Sequence, residues 1–486
     1  MSDDLTARLK ALERATRPLE PGSARRRRLR QAVTGRAERF LRGVRTLKAF
    51  ESPAGAAGLA AVPIQDEGIP VDEALALLDD CVFRPGSNPA AGPHLAYIPG
   101  GGLYHSALGD YLAAVTNKYA GISFTGPGPV RMEHQLVRWT ADLVGYPASA
   151  GGHLASGGSI ATLATLATAR DAHGLKGADF ARAVVYLTTQ AHHCIEKALR
   201  IAGMGEATIR QVAMDERYRM RPDALAAAIE VDRAKGFHPW CVIAAAGTTD
   251  TGAVDPLDEI GAIAARERCW YHVDAAYGGY FLLTGHGRRL LKGIERSDST
   301  VLDPHKGLFI PFGVGVALVR DAAALAATHS YTGHYMQDAL ADRHEVSPAD
   351  LSPELTKHFR ALRMWLPLVL EGTRPFAAAL EEKLLLARYF RERIEPLGFE
   401  TGPEPDLSIV TFRWVPPGLP LEEVNRLNQA IVEGIREDGR VFLSSTMLDG
   451  RFTLRLAVLN FRTHRREIDL ALRVLEEQVR RVTREK

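Results

Sequence analysis

Between about residues 100 and 319 the chain alternates helical apolar spacing with short apolar runs, and no other feature limits its fold as much. Helices are expected near 131–144, 158–173, 193–202 and 256–268, with strands in AVVYLTT, CVIAAAG, WYHVDAA and GVGVALV. Helices interleaved with short apolar strands act as crossover connections, so the pattern predicts an α/β fold with a mostly parallel sheet covered by helices. Such folds place their chemistry in the loops at the carboxyl ends of the strands. Beyond Pro375 the rhythm changes. A long helix over 376–394, the strand SIVTFRW, a helix over 421–437, the strands VFLSST and FTLRLAVLN and a last helix over 465–484 predict a smaller α+β unit. A chain of 486 residues, 46% of them hydrophobic, has enough apolar side chain for a large core and a satellite. We expect an N-terminal helical segment over 1–90, a large domain over 91–375 and a small C-terminal domain over 376–486.

Charge is uneven along the chain. The first 50 residues hold 14 Lys and Arg against 5 Asp and Glu, although the formal net charge of the whole is only +2. From about Ala24 to Phe50, the residues Leu29, Val33, Phe40, Val44 and Leu47 fall near helical spacing among the arginines, which predicts a basic amphipathic helix. It could serve as a nucleic-acid or lipid-binding arm, or pack across a partner subunit with its arginines solvated or paired. Because the apolar stripe continues through the arginine run, packing is the favoured reading, with neither nucleic acid nor membrane as partner. Residues 52–70, rich in Ala, Gly and Pro, read as a linker, and a short helix is expected near Val71 to Asp80. The four cysteines are scattered without paired spacing, so no disulfide framework or metal site is indicated. MSDDLTARLK lacks the apolar core of a signal peptide, and no stretch approaches the roughly 20 apolar residues that cross a bilayer, so a cytoplasmic protein is expected.

Several residues at expected strand ends suggest chemistry together that none suggests alone. Lys306, in DPHKG between an apolar stretch and a Gly-rich one, should be partly desolvated, which favours the neutral amine needed to form an imine. Asp274 ends the strand WYHVD among small residues that leave room for a flat ring, and its carboxylate could keep a pyridine nitrogen protonated. Strand alternation puts Ala276 on the same side. Gly157, Gly158 and Ser159 run into a helix whose first amides could bind phosphate. His192 stands at a strand exit, where it could stack on a ring or simply cap a helix. Thr248 and Thr249 could hold a polar edge, and Asp255 with Pro256 should start a helix, the Asp as its cap. No P-loop lysine and no G-x-G-x-x-G is present, which argues against ATP and dinucleotides.

The order of these motifs resembles that of the group II pyridoxal phosphate (PLP) decarboxylases, the family of aromatic L-amino acid, histidine and glutamate decarboxylases within the fold type I superfamily. The likeness runs from about Pro93 to Leu370 and continues more weakly to the carboxyl end. It implies a seven-stranded, mostly parallel sheet, with Lys306 as the Schiff-base lysine, Asp274 as the pyridinium partner and His192 as the stacking imidazole. Gly158, Ser159 and His305 would serve the phosphate, Thr249 the ring substituents and Ala276 the lower ring face. HLAYIPGGG and GISFTGPGP resemble the family's substrate-side segments, so Tyr97 and Phe124 would shape the pocket from opposite subunits of a homodimer whose N-terminal helices wrap the partner.

The implied activity is decarboxylation of an L-amino acid to its amine, with an aromatic substrate expected from that pocket. An acidic substrate such as glutamate or aspartate would need a further cation, for which Arg360 and Arg455 are available. Three departures from the family pattern stand out, one being an N-terminal segment unlike the usual one. Gly307 replaces the bulky residue that often follows the lysine, and no tyrosine falls at the usual spacing before HFRALR. In the family a loop tyrosine returns the proton to Cα, and its replacement diverts the chemistry to an oxidative, aldehyde-forming route. Tyr331 and Tyr335 are the candidates here.

Overall fold

The computed structural model describes residues 2–331 and 345–484. Its strands are β1 (Phe50–Glu51), β2 (Gly86–Ser87), β3 (Gly151–Ala155), β4 (Ala183–Leu187), β5 (Thr208–Gln211), β6 (His238–Ala245), β7 (Trp270–Asp274), β8 (Ser299–Leu302), β9 (Gly315–Val319), β10 (Phe399–Thr401), β11 (Ile409–Trp414), β12 (Ser444–Leu448) and β13 (Arg451–Ala457). Seven of them form the large sheet, in the order β3-β9-β8-β7-β6-β4-β5. Pairing is parallel from β5 through to β8, while β9 runs antiparallel to both β8 and β3. The seven-stranded, mostly parallel sheet expected from the sequence is therefore the one observed.

Burial on both faces follows from the residue types. In β4, Val184 and Tyr186 enter one apolar core, and Ala183, Val185 and Leu187 enter the core on the opposite face. A strand so covered reads as a continuous apolar run, which is why β4, β6 and β7 were visible in the sequence. β3 (GGHLA), β5 (TIRQ) and β8 (STVL) were not, because glycine or polar residues interrupt the run. Tertiary packing overrides their weak propensity.

A four-stranded antiparallel sheet, in the order β10-β11-β13-β12, carries the C-terminal unit. The helix Arg374–Ile394 serves both cores. Phe376, Leu380 and Leu384 pack with the large sheet, and Leu386, Ala387, Phe390 and Ile394 with the small one. At the N-terminus, the expected basic helix is Ser23–Gly43, and Arg36 pairs with Asp79 beside the helix Val71–Leu78. The predicted linker contains a 3-10 helix, Pro53–Ala61. In the helix Ser2–Thr16, Leu5, Leu9 and Leu12 form an exposed apolar stripe.

Candidate active site

Strand order places the site. β6, β7 and β8 lie side by side and parallel, so the loops leaving their carboxyl ends converge, and the helix Gly158–Ala172 begins nearby. Between them is a cavity of about 400 Å3. Its walls include Tyr97, Gly158, Ser159, His192, Thr249, Asp274, Ala276, His305 and Lys306, nine of the twelve site residues expected from the sequence.

Lys306 sits on a single helical turn, Pro304–Gly307, directly after β8. Its ammonium lies 3.0 Å from Oδ2 of Asp303, a residue only 3% exposed whose Oδ1 has no hydrogen-bond partner among the described residues. Burial pushes the Lys306 pKa down, but the carboxylates of Asp303 and Asp274 outweigh it and hold the pKa above the ordinary lysine value. The expectation that desolvation would favour the neutral amine is thus corrected, since two acids compensate. Asp303 was missed in the sequence, although an Asp three residues before a Lys on one helical turn is a readable pair. Gly307 also gains an explanation: a Cβ there would lie 2.7 Å from the Cβ of Tyr280, so the turn packs too closely for any side chain.

Asp274 ends β7, and its Oδ1 accepts the backbone N–H of Ala276 at 3.1 Å. Because the strand stops at Asp274, a turn rather than strand alternation brings Ala276 to the cavity. The helix start at Gly158 approaches equally closely, for a Cβ there would lie 2.8 Å from Asp303 Oδ2. Gly157, read in the sequence with Gly158 and Ser159, also lines this wall, as does Ser156, which the sequence did not single out. His192 Nδ1 accepts the N–H of Cys194 at 3.2 Å, which leaves the ring proton on Nε2. Burial lowers its pKa, with Asp274 opposing and His193 and Lys306 reinforcing, so the imidazole is neutral. His305 donates from Nδ1 to the Val314 carbonyl at 2.7 Å.

The loop after β6 divides its work. Thr249 faces the cavity, whereas the Thr248 hydroxyl bonds Thr251 Oγ1 at 2.9 Å and accepts the N–H of Ala253 at 3.1 Å. Asp255 is not the helix cap expected of it. Its carboxylate accepts N–H groups of Met220 at 2.7 Å and Ala245 at 2.8 Å, and burial raises its pKa to about 6. Pro256 stands just before the helix Leu257–Arg266 rather than inside it.

At the cavity mouth, Tyr97 and Ile98 both have positive φ, 58° and 66°. A branched residue in that region is strained, and such strain persists only where neighbouring contacts impose it. Here Leu95 N–H bonds the Phe442 carbonyl at 2.9 Å on one side, and Gly100 N–H bonds the His305 carbonyl at 3.2 Å on the other. Residue 100 must be glycine, because a Cβ would lie 2.6 Å from the His305 carbonyl oxygen and 2.8 Å from that of Lys306. Phe124 and Tyr331 line no part of this cavity and are exposed, and Tyr335 lies outside the described residues.

These side chains suit a flat, phosphorylated, nitrogen-containing ring. A helix start with close backbone approach suits phosphate, a carboxylate on a central strand suits a protonated ring nitrogen, and a buried amine suits a carbonyl carbon. Residues 72–415 match the pyridoxal-dependent decarboxylase conserved domain. An aromatic-L-amino-acid decarboxylase of Bacillus atrophaeus is 36% identical over 398 residues, spanning 80% of this chain and 82% of that protein. Tryptophan decarboxylase 2 of Oryza sativa subsp. japonica is 30% identical over 403 residues, spanning 80% and 81%. The crystal structure of Oryza sativa TDC with PLP and tryptamine superimposes with a TM-score of 0.89 at 24% identity, covering 95% of this chain and 99% of that one, which shows the shared fold. With the fold, the cavity and the matched domain in agreement, this chain belongs to the pyridoxal-dependent decarboxylase family and is a PLP-dependent amino acid decarboxylase.

Proposed function

We propose that the enzyme converts an aromatic L-amino acid to the corresponding amine and carbon dioxide, with Lys306 as the attachment point of the cofactor. The observation that carries this reading is the single cavity joining Lys306, Asp274 and His192 at its inner end to the Tyr97 ring at its mouth. The relatives named for aromatic substrates support the substrate class. When bound, PLP supplies an electron sink for the pair released at Cα as carbon dioxide leaves. Asp274 would keep the ring nitrogen protonated, and the neutral His192 and Ala276 would hold the ring's two faces. Gly158, Ser159 and His305 would hold the phosphate, and Thr249 would hold the ring's polar edge. Asp303 holds the lysine ammonium at the cavity floor.

An acidic substrate is disfavoured because both arginines available to it are engaged. Arg360 pairs with Glu354 at 2.9 Å and donates to the Leu154 carbonyl, and Arg455 donates to backbone carbonyls. Residues 1–90, 91–375 and 376–486 are read as a dimerisation segment, a PLP-binding domain and a small C-terminal domain of a homodimer, in which Phe124 completes the partner's cavity. Its exposure and its absence from the lining of the chain's own cavity support that assignment. No helix among the described residues is long and apolar enough to cross a membrane. A cytoplasmic location and the absence of nucleic-acid partners belong to the same reading, and retention on heparin at low salt would count against the latter.

The deciding experiment is a panel of L-amino acids assayed for carbon dioxide, amine, ammonia and hydrogen peroxide. Aromatic substrates should give carbon dioxide and amine in equal amounts. Preference for glutamate or aspartate would overturn the substrate class, and stoichiometric peroxide with ammonia would establish the aldehyde-forming route.

A further inference from the structure

Arg455 lies on β13, in the small C-terminal sheet, and only 4% of it is exposed. A cation so buried ordinarily has a carboxylate partner, because moving a charge out of water is costly. No carboxylate among the described residues pairs with it. Its donors go instead to the Asp250 carbonyl at 2.6 Å, the Ser444 hydroxyl at 2.8 Å and the Thr249 carbonyl. Two of these three acceptors are consecutive backbone carbonyls of the loop after β6, whose Thr249 faces the cofactor cavity.

The internal hydrogen bonds of that loop run through Thr248, Gly252 and Ala253 and do not involve the Thr249 or Asp250 carbonyls. The loop contains Gly247 and Gly252, both with positive φ, 104° and 73°, and no regular structure between them. Thr248 stabilises it from within, and Asp406 accepts the N–H of Val254 at 2.9 Å from the small-domain side. Neither group bears on Thr249 itself. A rigid, planar guanidinium that grips neighbouring carbonyls does, and lysine, with one flexible point charge, could not reproduce the fork.

We propose that Arg455 is a positioning residue of the cofactor site, clamping the Thr249–Asp250 backbone to the small sheet and so setting where the Thr249 side chain stands in the cavity. The inference rests on the reading of Thr249 as a cofactor contact. It assigns the small domain a direct part in holding the cofactor, through one side chain that itself touches neither cofactor nor substrate.

The test compares Arg455→Lys, Arg455→Gln, Ser444→Ala and Thr249→Val with the wild-type holoenzyme. The readouts are the PLP dissociation constant from titration of the resolved enzyme, the visible absorption band and the melting temperature. Arg455→Lys should weaken PLP binding on the order of 10- to 100-fold, as expected for losing a hydrogen bond to a charged group, and should alter the visible band. Arg455→Gln provides the same reading should the lysine variant fold poorly. Ser444→Ala removes an acceptor outside the loop and should leave PLP binding unchanged. Wild-type PLP affinity and spectrum in a folded Arg455 variant would overturn the clamp, as would an equal loss in Ser444→Ala, which would mark a general weakening of the small sheet. Unchanged PLP binding in Thr249→Val would instead refute the reading of Thr249, and the clamp would fall with it. Weakened binding in Thr249→Val beside an unaffected Arg455→Lys overturns the clamp alone.

Discussion

The inner and outer halves of the cavity are built by different means. Inside, Lys306, Asp274, Asp303 and His192 stand at or beyond the carboxyl ends of neighbouring strands, Asp274 and His192 each fixed by a backbone N–H and Lys306 paired with Asp303. At the mouth, Tyr97 is 68% exposed on a strained corner, while Phe124 and Tyr331 are 47% and 87% exposed and do not line this cavity. In the proposed function, the bond-breaking groups belong to one chain's sheet, whereas selectivity is left to the open rim. The difference also bears on tolerance to change: a well-ordered inner shell transmits small errors into rate, and an open rim changes affinity instead.

This contrast can be broken or sharpened by mutation. Lys306→Ala should have the largest effect, abolishing both turnover and the borohydride-sensitive visible band; a variant that kept the band would place the attachment point elsewhere. Asp274→Asn should lower kcat on the order of 10²- to 10³-fold, the scale for removing one preorganised charge, with KM moved far less. A KM-dominated effect there would erase the distinction between the halves. Tyr97→Ala should do the reverse, raising KM for an aromatic substrate roughly three- to tenfold, the worth of one ring-on-ring contact, and sparing kcat.

Smaller still is the pH effect expected of His192. Its pKa is depressed, so the ring is neutral above that lowered value and gains a proton only at more acidic pH. Profiles of kcat/KM for wild type and His192→Gln should therefore run parallel through the ordinary histidine range, and divergence there would show a protonated imidazole at work. Tyr331→Phe should change rate and product ratio by less than about twofold, the range of exposed substitutions away from a site. Peroxide appearing with that variant would bring Tyr331 into the mouth.

The sequence was legible where burial made it monotonous. β4 is an unbroken apolar run and β6 and β7 are mostly apolar, with His272 buried inside β7, and the residues that follow them reach the site. β3, β5 and β8 were hidden by glycine or polar residues, and with them went Asp303, whose importance depends on β8 ending one residue earlier. Asp255 shows another limit, since its cap-like position before Pro256 concealed a carboxylate bonded to two distant backbone amides. Local spacing can suggest that an acid begins a helix, but only the folded chain shows that strand and loop amides need it more. The mouth was least legible, because the position of Tyr97 depends on a positive-φ corner that no local pattern encodes.

Gly100 leaves no slack between the strip that bears Tyr97 and the turn that bears Lys306. A lineage acquiring a new substrate could therefore hardly enlarge or shift that strip without also disturbing the reactive lysine. Gradual change of specificity would be channelled to the rest of the rim, where side chains can vary without moving the turn that bears Lys306.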